Sequence, residues 1–161
     1  LPETDVLADL EAPLDMLPDS SVSHINAHHV LEHVSDLDQL LDEMHRVLIA
    51  EGTIDIRVPH WANPLAYSDP THVRFFGLYS FCYLAPFELQ PLGRKVPTYR
   101  VSSLYEIVEL DLCFRRTGSG FRKLESWLNN DVRRMEAYEK NFASTVWPYE
   151  IHCVLRPLHH P

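Results

Sequence analysis

The chain has 161 residues, of which 45% are hydrophobic and 11% aromatic; this excludes a disordered chain and suits one domain with a sizeable core. The net charge is −9, and Arg46 is the only Lys or Arg in residues 1–56, which disfavours nucleic acid as a partner. No apolar run approaches the ~20 residues of a membrane span, and no basic signal region opens the sequence. Cys82, Cys113 and Cys153 form no CxxC pair, as is typical of reduced cytoplasmic thiols. We therefore expect a cytoplasmic protein without a membrane partner.

The first half of the chain predicts a βαβ unit. Val22–Ala27 is short and fairly apolar, which suits a largely covered strand. Asp36 offers an N-cap oxygen to a helix with apolar residues at helical spacing, and Gly52 is expected to end that helix. Thr53–Val58 predicts the next strand, and such a unit has a right-handed crossover between parallel strands. A further candidate strand, Asp5–Leu10, precedes the unit.

The second half predicts an aromatic-rich insert or lid over residues 60–98, and then a strand, a helix and a final strand. Inserts of this length in compact domains are usually functional. The remaining predicted elements are short helices at Thr71–Phe76 and Leu78–Leu84, a long strand at Arg100–Arg116, a helix at Phe121–Phe142 and a strand at Trp147–Arg156. We expect residues 1–161 to form a single α/β domain.

Motifs in chain order carry a family resemblance. AHHVLEHV at Ala27–Val34 is followed by EMHRVL at Glu43–Leu48 and by Glu51-Gly52 before a strand, while ADLE at Ala8–Glu11 lies upstream. Together these resemble the class I S-adenosylmethionine-dependent methyltransferases, best over residues 5–83. The resemblance implies a truncated Rossmann-like sheet, mainly parallel, with an antiparallel C-terminal strand pair. The family's glycine-rich cofactor loop and its ribose-binding acid have no counterpart here.

The resemblance also implies a cofactor, S-adenosylmethionine, and residues that would contact it. Asp9 would accept a hydrogen bond from the adenine amine, and Leu10 would pack on the ring. Ala27, His28 and His29 lie at the end of a strand, where open α/β sheets bind ligands. The implied activity is methyl transfer to a small-molecule or sugar-like acceptor. A non-catalytic interaction module derived from a methyltransferase is the alternative, because the cofactor loop is missing.

A second group of polar residues lies in the insert. His60, Asp69 and His72 are the candidate catalytic residues, in a segment that resembles the D-P-x-H-x-x-F insert of the same methyltransferases. They could deprotonate an acceptor or hold a metal that orients it. A polar lid in which Asp69 caps a turn is equally open. The candidate substrate-binding residues are Asn63, Tyr67, Arg74 and Phe75.

The string His29-Val-Leu-Glu32-His33 also matches the H-x-x-E-H motif of inverted zinc peptidases. That motif needs a helix with all three residues on one face, whereas His29 is expected at the end of a strand. We therefore predict no metal site, and a metal-dependent hydrolase is kept as a second alternative.

The missing part of the family's sheet predicts association. Without its neighbours, the strand Val22–Ala27 would have one open edge, and an unpaired edge tends to pair with another chain. Helices that cover the sheet would also be missing, which is expected to expose Ile25 and Val58. We therefore predict a homodimer.

Overall fold

The computed structural model describes residues 6–100, 104–114 and 119–158. The elements in order are β1 (Val22–His28), α1 (Leu37–Val47), β2 (Leu48–Pro59), α2 (Pro64–Ser68), two 3-10 helices (Ser80–Leu84 and Phe87–Leu89), β3 (Tyr105–Cys113), α3 (Ser119–Asn129), α4 (Val132–Asn141) and β4 (Glu150–Pro157). Among the described residues, no helix combines the length and apolar character that crossing a membrane requires.

The four strands form one mixed sheet in the order β1-β2-β4-β3. β1 and β2 are parallel, whereas β4 runs antiparallel to both β2 and β3. This confirms the predicted α/β class, the βαβ unit and the antiparallel C-terminal pair. Within the described part of the chain, β1 is an edge strand, as predicted for Val22–Ala27.

The helix of the βαβ unit begins as predicted but ends earlier. The Asp36 side chain accepts a hydrogen bond from the Gln39 N–H at 3.0 Å, which caps α1. The helix ends at Val47 and β2 starts at once, so the prediction that Gly52 ends the helix is wrong. Gly52 lies inside β2, at a position where a Cβ would meet the Leu48 Cδ2 atom at 2.8 Å and the Ile49 carbonyl oxygen at 2.9 Å.

Three other element predictions are wrong in part. No strand covers the described residues of Asp5–Leu10; Asp5 itself lies outside them. Thr71–Phe76 is not helical, because the Asp69 carboxylate binds the Thr71 N–H and hydroxyl and forms a turn instead. The predicted helix Phe121–Phe142 is split into α3 and α4, since Asp131 caps a new helix by accepting from the Arg133 N–H at 2.8 Å. Of the strand Arg100–Arg116, residues 101–103 and 115–116 lie outside the described residues.

The two faces of the sheet differ in polarity. Ile54, Ile56 and Val58 on β2 are fully buried, and Ile25 packs against the same core. The expectation that Val58 would be exposed is therefore wrong. The opposite face is polar, and its residues on the four strands include His24, Asn26, His28, Asp55, Arg57, Glu109, Asp111 and His152. Because His24 and Asn26 are exposed, β1 is not the largely covered strand that was predicted.

Candidate functional site

The carboxyl edge of the sheet collects the polar groups. β1 and β2 are parallel, so their carboxyl ends, at His28 and Pro59, lie at one edge. Glu150 opens β4 at the same edge, since it is opposite both Pro59 and Cys113 in the strand pairing. Open α/β sheets bind ligands at such an edge.

His29 makes the turn after β1 in a left-handed conformation, with φ of 54°. Its backbone N–H donates to the Arg57 carbonyl at 2.8 Å, and its Nε2 lies 3.0 Å from Glu150 Oε1. Its Nδ1 lies 3.3 Å from Glu32 Oε1. Non-glycine residues in this conformation are uncommon, and they concentrate at functional sites. His29 therefore joins the start of β4 to the turn that follows β1.

Glu32 is a buried carboxylate in that turn. The residue is only 1% exposed, and neither carboxylate oxygen accepts a hydrogen bond from any described residue. The ring of His29 is near but outside hydrogen-bonding geometry. A buried carboxylate without donors is unusual, because the loss of hydration is not compensated. Sequence reasoning considered Glu32 only within the H-x-x-E-H string and did not include it among the candidate site residues, since its burial depends on the insert that covers it.

The insert places Asp69, Thr71 and His72 beside the same turn. The Val73 N–H donates to the Glu32 carbonyl at 2.9 Å, which docks the insert on the turn. His33 Nδ1 lies 2.8 Å from the Thr71 hydroxyl, and the His33 and His72 rings meet edge to face at 4.7 Å. Hydrogen bonds from the Thr71 hydroxyl and N–H hold the pKa of Asp69 below its usual value. Asp69 Oδ2 lies 3.9 Å from His72 Nε2, so these two predicted catalytic residues are neighbours.

His60, the third predicted catalytic residue, has a different environment. It is fully buried, and its Nε2 lies 2.8 Å from Glu139 Oε2 on α4. Its Nδ1 accepts a hydrogen bond from the Ala62 N–H at 3.1 Å, so both ring nitrogens are occupied. Asn63 is also buried; it caps α2 and donates to the Tyr149 carbonyl at 3.0 Å. These contacts make His60 and Asn63 part of the insert's framework.

The other predicted substrate-binding residues are more accessible. Tyr67 and Phe75 are 58% and 48% exposed, and their rings stack with centroids 4.3 Å apart. Arg74 donates to the Ser35 carbonyl at 2.8 Å and so ties the insert to the start of α1. The stacked pair is therefore an apolar surface that a ligand could reach.

The predicted cofactor-binding residues have different environments. Asp9 is exposed, and its Oδ1 accepts from the Glu11 N–H at 3.0 Å, while Leu10 is half-buried. Ala27 is 2% exposed at the end of β1. The His28 side chain lies on the polar face of the sheet instead, where its Nε2 is 2.8 Å from Asp55 Oδ1.

The polar face also carries a cavity of about 540 Å³. Its lining includes Arg57, Cys113, Phe114 and Tyr149 and a cluster of Glu109, Asp111 and His152. Burial, and a hydrogen bond that protonated Asp111 donates to the Glu109 carboxylate, raise the pKa of Asp111 to about 6. Sequence reasoning missed this cluster, although polar residues at every second position of the strands were a signal for it.

Comparisons with known proteins concern the N-terminal segment and the fold. The family model described as a methyltransferase domain matches residues 2–56. None of the curated proteins matches the sequence. A chain in the complex of the Haloferax volcanii Trm112 methyltransferase activator with a methyltransferase aligns with a TM-score of 0.58 at 14% identity, over 98% of this chain and 64% of that one.

Two further solved structures have the same fold. An S-adenosylmethionine-dependent methyltransferase from Archaeoglobus fulgidus aligns with a TM-score of 0.52 at 16% identity, over 94% of this chain and 66% of that one. The YcgJ protein from Bacillus subtilis gives 0.50 at 17% identity, over 96% and 70%. The chain therefore spans less than two thirds of the Haloferax and Archaeoglobus chains. The matched segment and the shared fold confirm the predicted resemblance to the class I S-adenosylmethionine-dependent methyltransferases.

Proposed function

We propose that this chain forms the acceptor side of an S-adenosylmethionine-dependent methyltransferase that acts on a small molecule. The observation that carries the proposal is the polar cluster at the carboxyl edge, where the turn after β1 meets the insert through His33, Thr71 and His72. The exposed Tyr67–Phe75 pair supplies an apolar surface in the same insert. Such a combination of few polar groups and aromatic surface suits a small organic acceptor.

The chemistry asked of these residues is activation of the acceptor. Methyl transfer needs a free lone pair on the acceptor, so a nearby group must take up or hold its proton. His72 Nδ1 lies 2.8 Å from the Ala66 carbonyl, which can only accept, so that nitrogen carries the proton and Nε2 keeps a lone pair. His60 has no such free nitrogen. We therefore assign the activating role to His72, beside Asp69.

The cofactor would supply the methyl group when bound, and the described residues fit only part of it. Asp9 and Leu10 would hold the adenine end, and Ala27, at the end of β1, would border the sulfonium end. The family's glycine-rich loop has no counterpart in this sequence, in which the first glycine is Gly52. Each missing charge-assisted hydrogen bond costs about 1.5–3 kcal/mol, and several are missing together. We predict that this chain alone binds S-adenosylmethionine weakly or not at all; micromolar binding in a calorimetric titration would contradict this.

The test of the acceptor role uses methyl transfer by a protein that contains this chain and binds the cofactor. His72→Ala should lower turnover roughly 100-fold while cofactor binding is unchanged. His24→Ala, in an exposed histidine of the edge strand, is the matched control. Unchanged turnover with a lower melting temperature would mean that His72 only supports the insert.

The incomplete cofactor site favours a second candidate function, a non-catalytic module derived from a methyltransferase. In that case, neither added cofactor nor an upstream segment that supplies the glycine-rich loop would produce methyl transfer. Restored transfer on addition of such a segment would exclude this candidate.

A further inference from the structure

The turn after β1 and the insert bring three ligand-type side chains together. Glu32, His33 and His72 can each present one ligand atom within 4.8 Å of the others. Zn–N and Zn–O bonds of about 2.0–2.2 Å place ligand atoms about 3–4 Å apart, so small side-chain rotations would close a metal site. A second, independent observation points to a cation here, because the buried Glu32 carboxylate has no hydrogen-bond donor among the described residues.

The hydrogen bonds of both histidines leave the same nitrogen free. His72 Nδ1 donates to the Ala66 carbonyl. The single proton of the Thr71 hydroxyl goes to Asp69 Oδ1 at 2.6 Å, so this hydroxyl must accept from His33 Nδ1. Nε2 therefore carries the lone pair in both rings. Metal-binding histidines are oriented by such bonds from the other ring nitrogen, usually to a carboxylate, a backbone carbonyl or water; the Ala66 carbonyl has this role for His72, and the Thr71 hydroxyl, itself bound to Asp69, takes it for His33.

We propose that Glu32, His33 and His72 bind a divalent transition-metal cation such as Zn²⁺. Two imidazoles and one carboxylate favour Zn²⁺ or Fe²⁺ over Mg²⁺ and Ca²⁺, which prefer oxygen ligands. The cation would neutralise the Glu32 carboxylate and would explain its burial without donors. It would also hold the insert against the turn after β1, since Glu32 and His33 lie in that turn and His72 lies in the insert.

This site differs from the helical zinc-peptidase motif. His29 begins that motif in sequence, but it is left-handed and followed by a turn, not a helix. The third ligand here is His72, which comes from the insert. His72 Nε2 has one lone pair, so a bound cation would replace the proton-accepting role assigned to His72 above, and the cation would then orient the acceptor. The two roles are distinguishable, because metal binding can be measured on this chain alone.

The first test measures Zn²⁺ binding by calorimetry on the chelator-treated chain, with Co²⁺ absorption as a report of ligand geometry. One Zn²⁺ per chain should bind at micromolar or lower Kd, and Mg²⁺ should not compete. Glu32→Gln and His72→Ala should each weaken binding about 100-fold or more. Thr71→Val should weaken it about 10- to 100-fold, through loss of the His33 anchor. Glu109→Gln, in the other cluster of metal-ligand type, is the matched control and should change nothing.

The second test uses stability, so that a folding defect cannot be mistaken for lost binding. Without metal, Glu32→Gln should melt at a higher temperature than the wild type, because it replaces a buried carboxylate that accepts no hydrogen bond among the described residues. Zn²⁺ should raise the melting temperature of the wild type but not that of Glu32→Gln. Three results would overturn the proposal: no binding up to 1 mM Zn²⁺, binding lost with Glu109→Gln, or an equal Zn²⁺ shift in the wild type and Glu32→Gln.

Discussion

Glu139 links α4 to the insert and is the contact whose removal should cost the most stability. Its carboxylate lies 2.8 Å from both His60 Nε2 and Trp61 Nε1, and it accepts from the Leu78 N–H at 3.2 Å. Glu139→Ala leaves all three donors without this partner. A buried donor left unpaired costs about 1–3 kcal/mol, and Glu139→Ala leaves three of them. We expect the free energy of unfolding to fall by about 3–5 kcal/mol.

Urea unfolding at pH 7 would measure this loss, with Glu88→Ala as the control because Glu88 is an exposed glutamate on the same insert. Burial raises the pKa of Glu139, but the hydrogen bonds from His60, Trp61 and the Leu78 N–H lower it more, so that it lies below its usual value. Its contribution is therefore present above about pH 4.3 and lost as the pH falls through the lowered folded-state pKa. The wild type should lose stability more steeply than Glu139→Ala in that range. A loss below about 1 kcal/mol at pH 7 would refute the reasoning.

Three further perturbations test other parts of the fold. Burial and Glu109 raise the pKa of Asp111 to about 6, so Asp111→Asn should stabilise the protein by about 1–2 kcal/mol at pH 7.5, after allowance for solvent screening. The gain in the free energy of unfolding should shrink towards pH 4, and equal gains at both pH values would contradict the reasoning. Gly52→Ala should cost about 1–3 kcal/mol in urea unfolding, since its Cβ would meet the Ile49 carbonyl; a neutral result would show that β2 can adjust. The His29 N–H points to β2, so alternation along the strand turns the Asn26 N–H to the open edge of β1. Asn26→Pro removes that N–H and should convert the predicted homodimer to a monomer in sedimentation; a monomeric wild type would exclude that dimer.

The elements with strong local signals could be predicted from the sequence. The period of α1 and the Asp36 cap are encoded within a few residues, and so is the alternation of β4. The order of the elements also predicted which edge of the sheet carries the polar cluster. The split between α3 and α4 was missed because the apolar spacing continues across Asp131, whose capping preference decides the local structure.

The contacts that define the candidate site could not be predicted in the same way. Glu32 is buried by an insert about 40 residues further along, and His60 is occupied by Glu139, which lies 79 residues away. Such pairings depend on how loops pack, and loop packing has no periodic signature. The sequence indicated that His60, Asp69 and His72 belong to one insert, whereas only the packing distinguishes a histidine with a free nitrogen from one without.

The polar face of the sheet explains why the sheet does not expose the apolar surface that was expected at Ile25 and Val58. In a doubly covered sheet, both sets of alternate residues are apolar, whereas here one set includes His28, Asp55 and His152. The imidazoles and carboxylates of this set pair with each other, since Asp55 Oδ1 lies 2.8 Å from His28 Nε2 and 3.2 Å from His152 Nε2. A face of this kind can remain in water without an apolar cover. We therefore place the predicted association of two copies at the open edge of β1, and not at this face of the sheet.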